Sequence, residues 1–111
     1  MRQVKFAELQ SLVGTEIGTS QWWLIDQARI DKFAEATGDF QWIHVDPEKA
    51  KTSKFGSTIA HGYLTLSLLA GMRFQTFEVT ETSMAVNYGM NKVRFLSPVP
   101  SGSQLRAKYE L

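Results

Sequence analysis

The sequence has no cysteine, which excludes a disulfide scaffold, a thiolate metal site and a cysteine nucleophile. That absence fits a reducing compartment, and the cytoplasm is the expected location. Net charge is nearly absent as well: 12 Lys and Arg against 11 Asp and Glu leave a formal +1. Such a chain lacks the electrostatic footprint that nucleic acid or an anionic membrane surface would require, so neither is an expected partner. No apolar run is long enough to cross a bilayer, and residues 1–5 do not lead into the apolar stretch of a signal peptide. Only three prolines and eight glycines punctuate the chain, and they form no linker. Dinucleotide fingerprints, phosphate loops and the Gly-x-Ser-x-Gly elbow are missing. What remains is an ordinary globular composition, 43% hydrophobic and 21% charged, which excludes intrinsic disorder. A length of 111 residues suits one domain, 1–111.

Periodicity then assigns elements. Phe6, Leu9, Leu12 and Val13 repeat at helical spacing and stop at Gly14. Residues 17–25 read as a strand with Trp22 and Trp23 on opposite faces. Asp26 is a helix N-cap, Ile30, Phe33, Ala34 and Thr37 form the buried stripe, and Gly38 ends the helix. Residues 39–45 have neither period and read as loop. Asp46-Pro47 opens a further short helix. Residues 62–72 are apolar or small on every face, which predicts a helix buried on all sides. Beyond them the period changes to two, in strands over 84–96 and 103–111. The last strand is still alternating at Leu111, which suggests that further strands belong to the fold. A central helix against one antiparallel sheet, an α+β arrangement, accounts for this order.

The chain has two histidines, His44 and His61. Asp39 and His44 share a loop, and His61 precedes Gly62 at the start of the central helix. A carboxylate and an imidazole beside a helix N-terminus offer acid–base groups next to unpaired backbone N–H donors. Each residue also has a plain reading: Asp39 as turn chemistry, His44 as a satisfied core histidine, His61 as a helix-start residue with no catalytic part, Asp46 as a cap. The three tryptophans, Trp42 among them, read as packing. Asp39, His44, Asp46 and His61 could in principle ligate a metal, but their spacing matches no metal signature, and no metal is expected.

The segment 33–50, with Thr37-Gly38-Asp39, Ile43-His44 and Ala50, resembles the signature of the MaoC-like dehydratases, the (R)-specific enoyl-CoA hydratases. Ile59-Ala60-His61-Gly62, Asn87-Tyr88-Gly89 and Val93-Arg94-Phe95 resemble later parts of the same family, so the likeness covers nearly the whole chain. It departs at Gln41-Trp42, where the family has Asn-Pro, and at Ala70, where some relatives carry a hydroxyl. The Gln41-Trp42 exchange is expected to alter substrate shape more than chemistry.

The resemblance implies a hot-dog fold, a central helix wrapped by an antiparallel sheet, here without its C-terminal strands. It implies Asp39 and His44 as the residues that hold and activate a water, and the Gly62 N–H as the group that polarises a thioester carbonyl. The implied activity is (R)-specific hydration of trans-2-enoyl thioesters, or the reverse, without a cofactor. The substrate would be an acyl-CoA or acyl-carrier-protein thioester, and the assembly a homodimer. A hot-dog thioesterase and a non-catalytic acyl-thioester-binding subunit remain as alternatives.

Overall fold

Local capping chemistry places the helices of the first half. In the computed structural model, which describes residues 1–111, the Asp26 carboxylate accepts the Arg29 N–H at 3.0 Å and starts helix α1, Gln27–Thr37. Gly38 closes it at a φ of 80°, a left-handed conformation that glycine adopts without a steric penalty. Helix α2, Trp42–Val45, forms inside the segment expected to be loop. Four residues without a helical stripe carry no periodic signal. Asp46 ends α2 and caps helix α3, Pro47–Lys51, by accepting the Lys49 N–H at 3.1 Å. Helix α4 is Gly62–Phe74.

The strands are shorter than the alternation predicts. They are β1, Arg2–Lys5; β2, Glu16–Thr19; β3, Trp23–Ile25; β4, Phe77–Thr80; β5, Ser103–Leu105; and β6, Lys108–Glu110. They pair two by two, β1 with β4, β2 with β6 and β3 with β5, rather than in one continuous sheet. The chain divides into two units.

One unit comprises Trp22–Leu68 and Phe95–Leu105. Its core is Ile25, Ile30, Ala60 and Leu64, with Trp23, Phe33, Leu68, Val99 and Leu105 packed around them. Ile25 and Ile30 are fully buried, and each contributes about 1.5–3 kcal/mol by leaving water. Strand β3 runs antiparallel to β5, with Trp23 opposite Leu105 and Ile25 opposite Ser103. The approach to α4 is held on both sides: the Ile59 N–H donates to the Ile43 carbonyl, and the Ala60 N–H to that of Val99. The predicted two-sided character of residues 22 and 23 holds. Trp22 is exposed, whereas Trp23 lies against the core.

The other unit comprises Met1–Gln21, Leu69–Arg94 and Arg106–Leu111. Strand β2 runs antiparallel to β6. Gly18 lies close to Thr76, whose methyl carbon would be 2.6 Å from a Cβ there, so a side chain at this position would have to displace it. The Tyr109 hydroxyl donates to the Leu69 carbonyl at 2.6 Å. Burial raises its pKa above the usual phenol value, and the Arg73 charge opposes that rise. An open hollow of about 570 Å³ is lined by Phe6, Leu9, Phe74, Phe77 and Met84 among others.

Five further expectations need correction. Strand β1 pairs with β4 in parallel, against the all-antiparallel prediction. A parallel pair needs a long crossover, and the 71 residues from Phe6 to Thr76, α4 included, supply it. Residues 84–96 form no strand, because a strand needs a ladder partner and they have none; Met84, Val86 and Tyr88 are exposed. Phe6–Leu12 is a 3-10 helix with no buried residue, and Thr37 is exposed. Helix α4 is not buried on all sides: Leu64 and Met72 are buried, while Tyr63, Leu69 and Phe74 are exposed.

Candidate active site

The candidate residues sit on the turn after α1, on α2 and at the start of α4, all within the unit built on Ile25 and Ile30. The left-handed Gly38 redirects the chain out of α1 and leaves Asp39 exposed. The turn chemistry read from the sequence is present: the Gln41 N–H donates to Oδ1 of Asp39 at 3.2 Å.

His44 sits on α2 and is 7% exposed. Its Nδ1 lies 2.7 Å from the Ile59 carbonyl, an acceptor only, so Nδ1 carries the proton. Nε2 is then left as an acceptor. Gln27 fixes the same turn from α1, donating through Nε2 to the His44 carbonyl at 2.7 Å and accepting the Thr58 hydroxyl through Oε1.

His61 is 2% exposed and stacks on His44 with ring centroids 3.9 Å apart and planes 24° from parallel. One carboxylate oxygen of Asp39 and one ring nitrogen from each histidine lie within 4.8 Å of one another. The structure therefore brings Asp39 and His44 together and adds His61. A single water about 2.8 Å from two groups bridges a gap of about 4.6 Å. A separation within 4.8 Å admits such a water, and the three side chains also form a donor set of the kind that can ligate a metal ion.

Gly62 is the first residue of α4, so its N–H has no acceptor four residues back within the helix, and it donates to no other group. A Cβ at this position would meet the Phe95 ring at 2.7 Å. The Tyr63 ring meets Phe95 edge-on at 5.8 Å. The Gln41 and Trp42 side chains do not join the cluster. Gln41 is exposed, and the Trp42 ring lies under the Lys49 ammonium at 4.6 Å. Asp46 acts as a cap and stays outside the cluster.

Sequence reasoning missed Phe95, Gln27 and the contacts of His61. Phe95 read as one position of the expected strand over 84–96, and Gln27 lies outside the buried stripe that the helical period picks out. The adjacency of His61 to Gly62 was the available signal for His61.

A model of the MaoC-like domain matches residues 8–111. The chain belongs to this family. The MaoC-like domain is 50% identical over 105 residues to 3-hydroxyacyl-thioester dehydratase Z of Mycobacterium tuberculosis, a match covering 95% of this chain and 70% of the relative. It is 49% identical over 113 residues to nodulation protein N of Rhizobium leguminosarum, covering 100% of this chain and 70% of that one. Among solved structures, an Archaeoglobus monoamine oxidase regulatory protein superposes with a TM-score of 0.78 at 32% identity, over 99% of this chain and 71% of that one. The (R)-hydratase of A. caviae superposes at 0.69 and 28% identity, over 87% and 72% respectively. The fold is the hot-dog fold of these structures. No helix is long and apolar enough to cross a membrane.

Proposed function

We propose that the MaoC-like domain is a hydro-lyase that adds water to trans-2-enoyl thioesters to give (R)-3-hydroxyacyl thioesters, or runs the reverse dehydration. The observation that carries this reading is the convergence of the Asp39 carboxylate and the His44 ring within 4.8 Å, beside the opening turn of α4. Relatives named as a 3-hydroxyacyl-thioester dehydratase and an (R)-hydratase support the substrate class and the stereochemistry.

The chemistry follows from the donors and acceptors. A water donates one hydrogen to Asp39 and the other to His44 Nε2, which is an acceptor because Nδ1 is committed to Ile59. Both of its hydrogens are then held, and a lone pair faces C3 of the enoyl group. As oxygen bonds to C3, Asp39 takes a proton and the C2=C3 electron pair moves through C2 onto the thioester oxygen. The Gly62 N–H meets the charge developing on that oxygen, a contribution worth about 2.7–4 kcal/mol for one such donor. The enolate collapses by taking the proton from Asp39 at C2, so one carboxylate serves as base and then as acid. Every atom of the water ends in the product. No cofactor or metal enters this scheme.

The substrate is an acyl-CoA or acyl-carrier-protein thioester, and the working assembly a cytoplasmic homodimer. Tyr63, Leu69 and Phe74 on α4 are exposed in the single chain, and a second copy would cover such apolar surface. Incubation with crotonyl-CoA tests the activity, with enoyl absorbance and free thiol followed together. Loss of absorbance without thiol is the expected result. Thiol release would instead establish a thioesterase, and no change a binding module.

A further inference from the structure

We infer that His61 is a positioning residue for the reaction, fixing both Asp39 and the ring plane of His44; this rests on the hydratase reading of the Asp39–His44 pair. Three contacts carry it. His61 Nε2 lies 2.9 Å from the backbone carbonyl of Asp39, which can only accept, so Nε2 carries the proton and donates it there. The His61 ring stacks on His44 at 3.9 Å. Phe33 closes the other side, with its centroid 4.9 Å away and its plane tilted by 56°.

The remaining nitrogen of His61 argues against a packing role. Nδ1 is buried and has no hydrogen-bond partner. A residue chosen for packing alone would be phenylalanine, which fills the same slab without an orphaned polar atom. A residue chosen only to anchor the Asp39 carbonyl could be glutamine, which has the donor but no ring. Histidine supplies both, a donor for the exposed Asp39 turn and a flat face for the His44 ring. Asp39 needs such an anchor. Its turn is otherwise tied by the Gln41 N–H to its own carboxylate and by its own N–H to the Thr37 hydroxyl, a long contact of 3.4 Å. The Gln27 and Ile59 contacts hold His44 from its backbone and from Nδ1. His61 therefore links the two groups that must share one water. Its loss should be felt as a geometric error, for which a displacement of about 1 Å costs about a hundredfold.

The test compares His61→Phe, which keeps the stack and removes the donor, with His61→Gln, which keeps the donor and removes the stack. Crotonyl-CoA hydration and backbone 15N relaxation are measured on both and on the unaltered chain. His61→Phe is expected to lower kcat by about 10- to 100-fold with KM within about twofold, and His61→Gln to recover part of that loss. In His61→Phe the amides of residues 39–41 should become mobile, with order parameters below about 0.6, while they stay near about 0.85 in the unaltered chain. A His61→Phe variant with full kcat, or with a rigid 39–41 turn, would overturn the inference. If that variant does not fold, His61→Gln decides alone: an ordered turn supports the anchor and a mobile one overturns it. A chain with no hydratase activity would defeat the functional reading, while the order parameters would still judge the anchor.

Discussion

Replacing Gly62 by alanine puts one methyl group against the ring of Phe95. A Cβ at Gly62 would lie 2.7 Å from Cδ2 and 2.8 Å from Cε2 of that ring. Carbon atoms in ordinary contact stand about 3.5–4.0 Å apart, so the ring must retreat by about 1 Å. Phe95 is 51% exposed, with an edge contact to Tyr63, so it can swing outward. Losing that contact costs about 0.5–1.5 kcal/mol, and the better helix propensity of alanine offsets part of it. Stability should therefore change by less than about 1 kcal/mol. Activity should change far more. Alanine keeps the backbone N–H, so any loss comes from crowding: where the methyl or the displaced Phe95 ring keeps the thioester carbonyl from that N–H, the cost is about 10²-fold or more, about 2.7 kcal/mol. The assay is kcat/KM for crotonyl-CoA hydration, paired with a thermal melt of the same sample. A Gly62→Ala variant with an unchanged melt and kcat/KM within about threefold of the unaltered chain would refute this oxyanion site.

Other outcomes follow from packing and burial. Ile30→Ala removes a fully buried side chain and should cost about 2–5 kcal/mol in a urea melt. Tyr109→Phe removes the hydrogen bond to Leu69 and should cost about 0.5–1 kcal/mol at pH 8. The Tyr109 phenol is raised in the fold, so its contribution is complete below about pH 10 and lost as pH climbs through the raised value. Urea melts of this variant and the unaltered chain should accordingly draw together as pH climbs above about 10. Sedimentation at low micromolar concentration should give a dimer, and a monomer that binds no apolar dye would contradict the proposed assembly.

The helices of the first half were legible because their ends are chemical. Asp26, Gly38 and Asp46-Pro47 each act through a cap or a turn that residue type alone specifies. The strands were less so. Alternation over 84–96 looks the same as alternation over 103–111, yet only the second segment finds partners, in β3 and β2. Pairing is a long-range property that no local period contains. The same limit applies to the site. Asp39, His44 and Gly62 were assigned through the family resemblance, whereas residue type alone left Asp39 as turn chemistry, which the Gln41 contact shows it also performs. His61 looked idle because its partners, the Asp39 carbonyl and the His44 ring, are 22 and 17 residues away in sequence. Helix α4 misled for a different reason. Its composition is apolar on every face, but composition does not say how many of those faces the chain itself covers.

Asp39→Asn is the most direct test of the central claim. It keeps the size of the side chain, and the amide oxygen can still accept the Gln41 N–H, so the turn should persist. It removes the group that takes the proton from water and returns it to C2. Crotonyl-CoA hydration, read as loss of enoyl absorbance without thiol release, should fall by at least about a hundredfold, with the thermal melt unchanged. Near-full hydration by a folded Asp39→Asn chain would contradict the account.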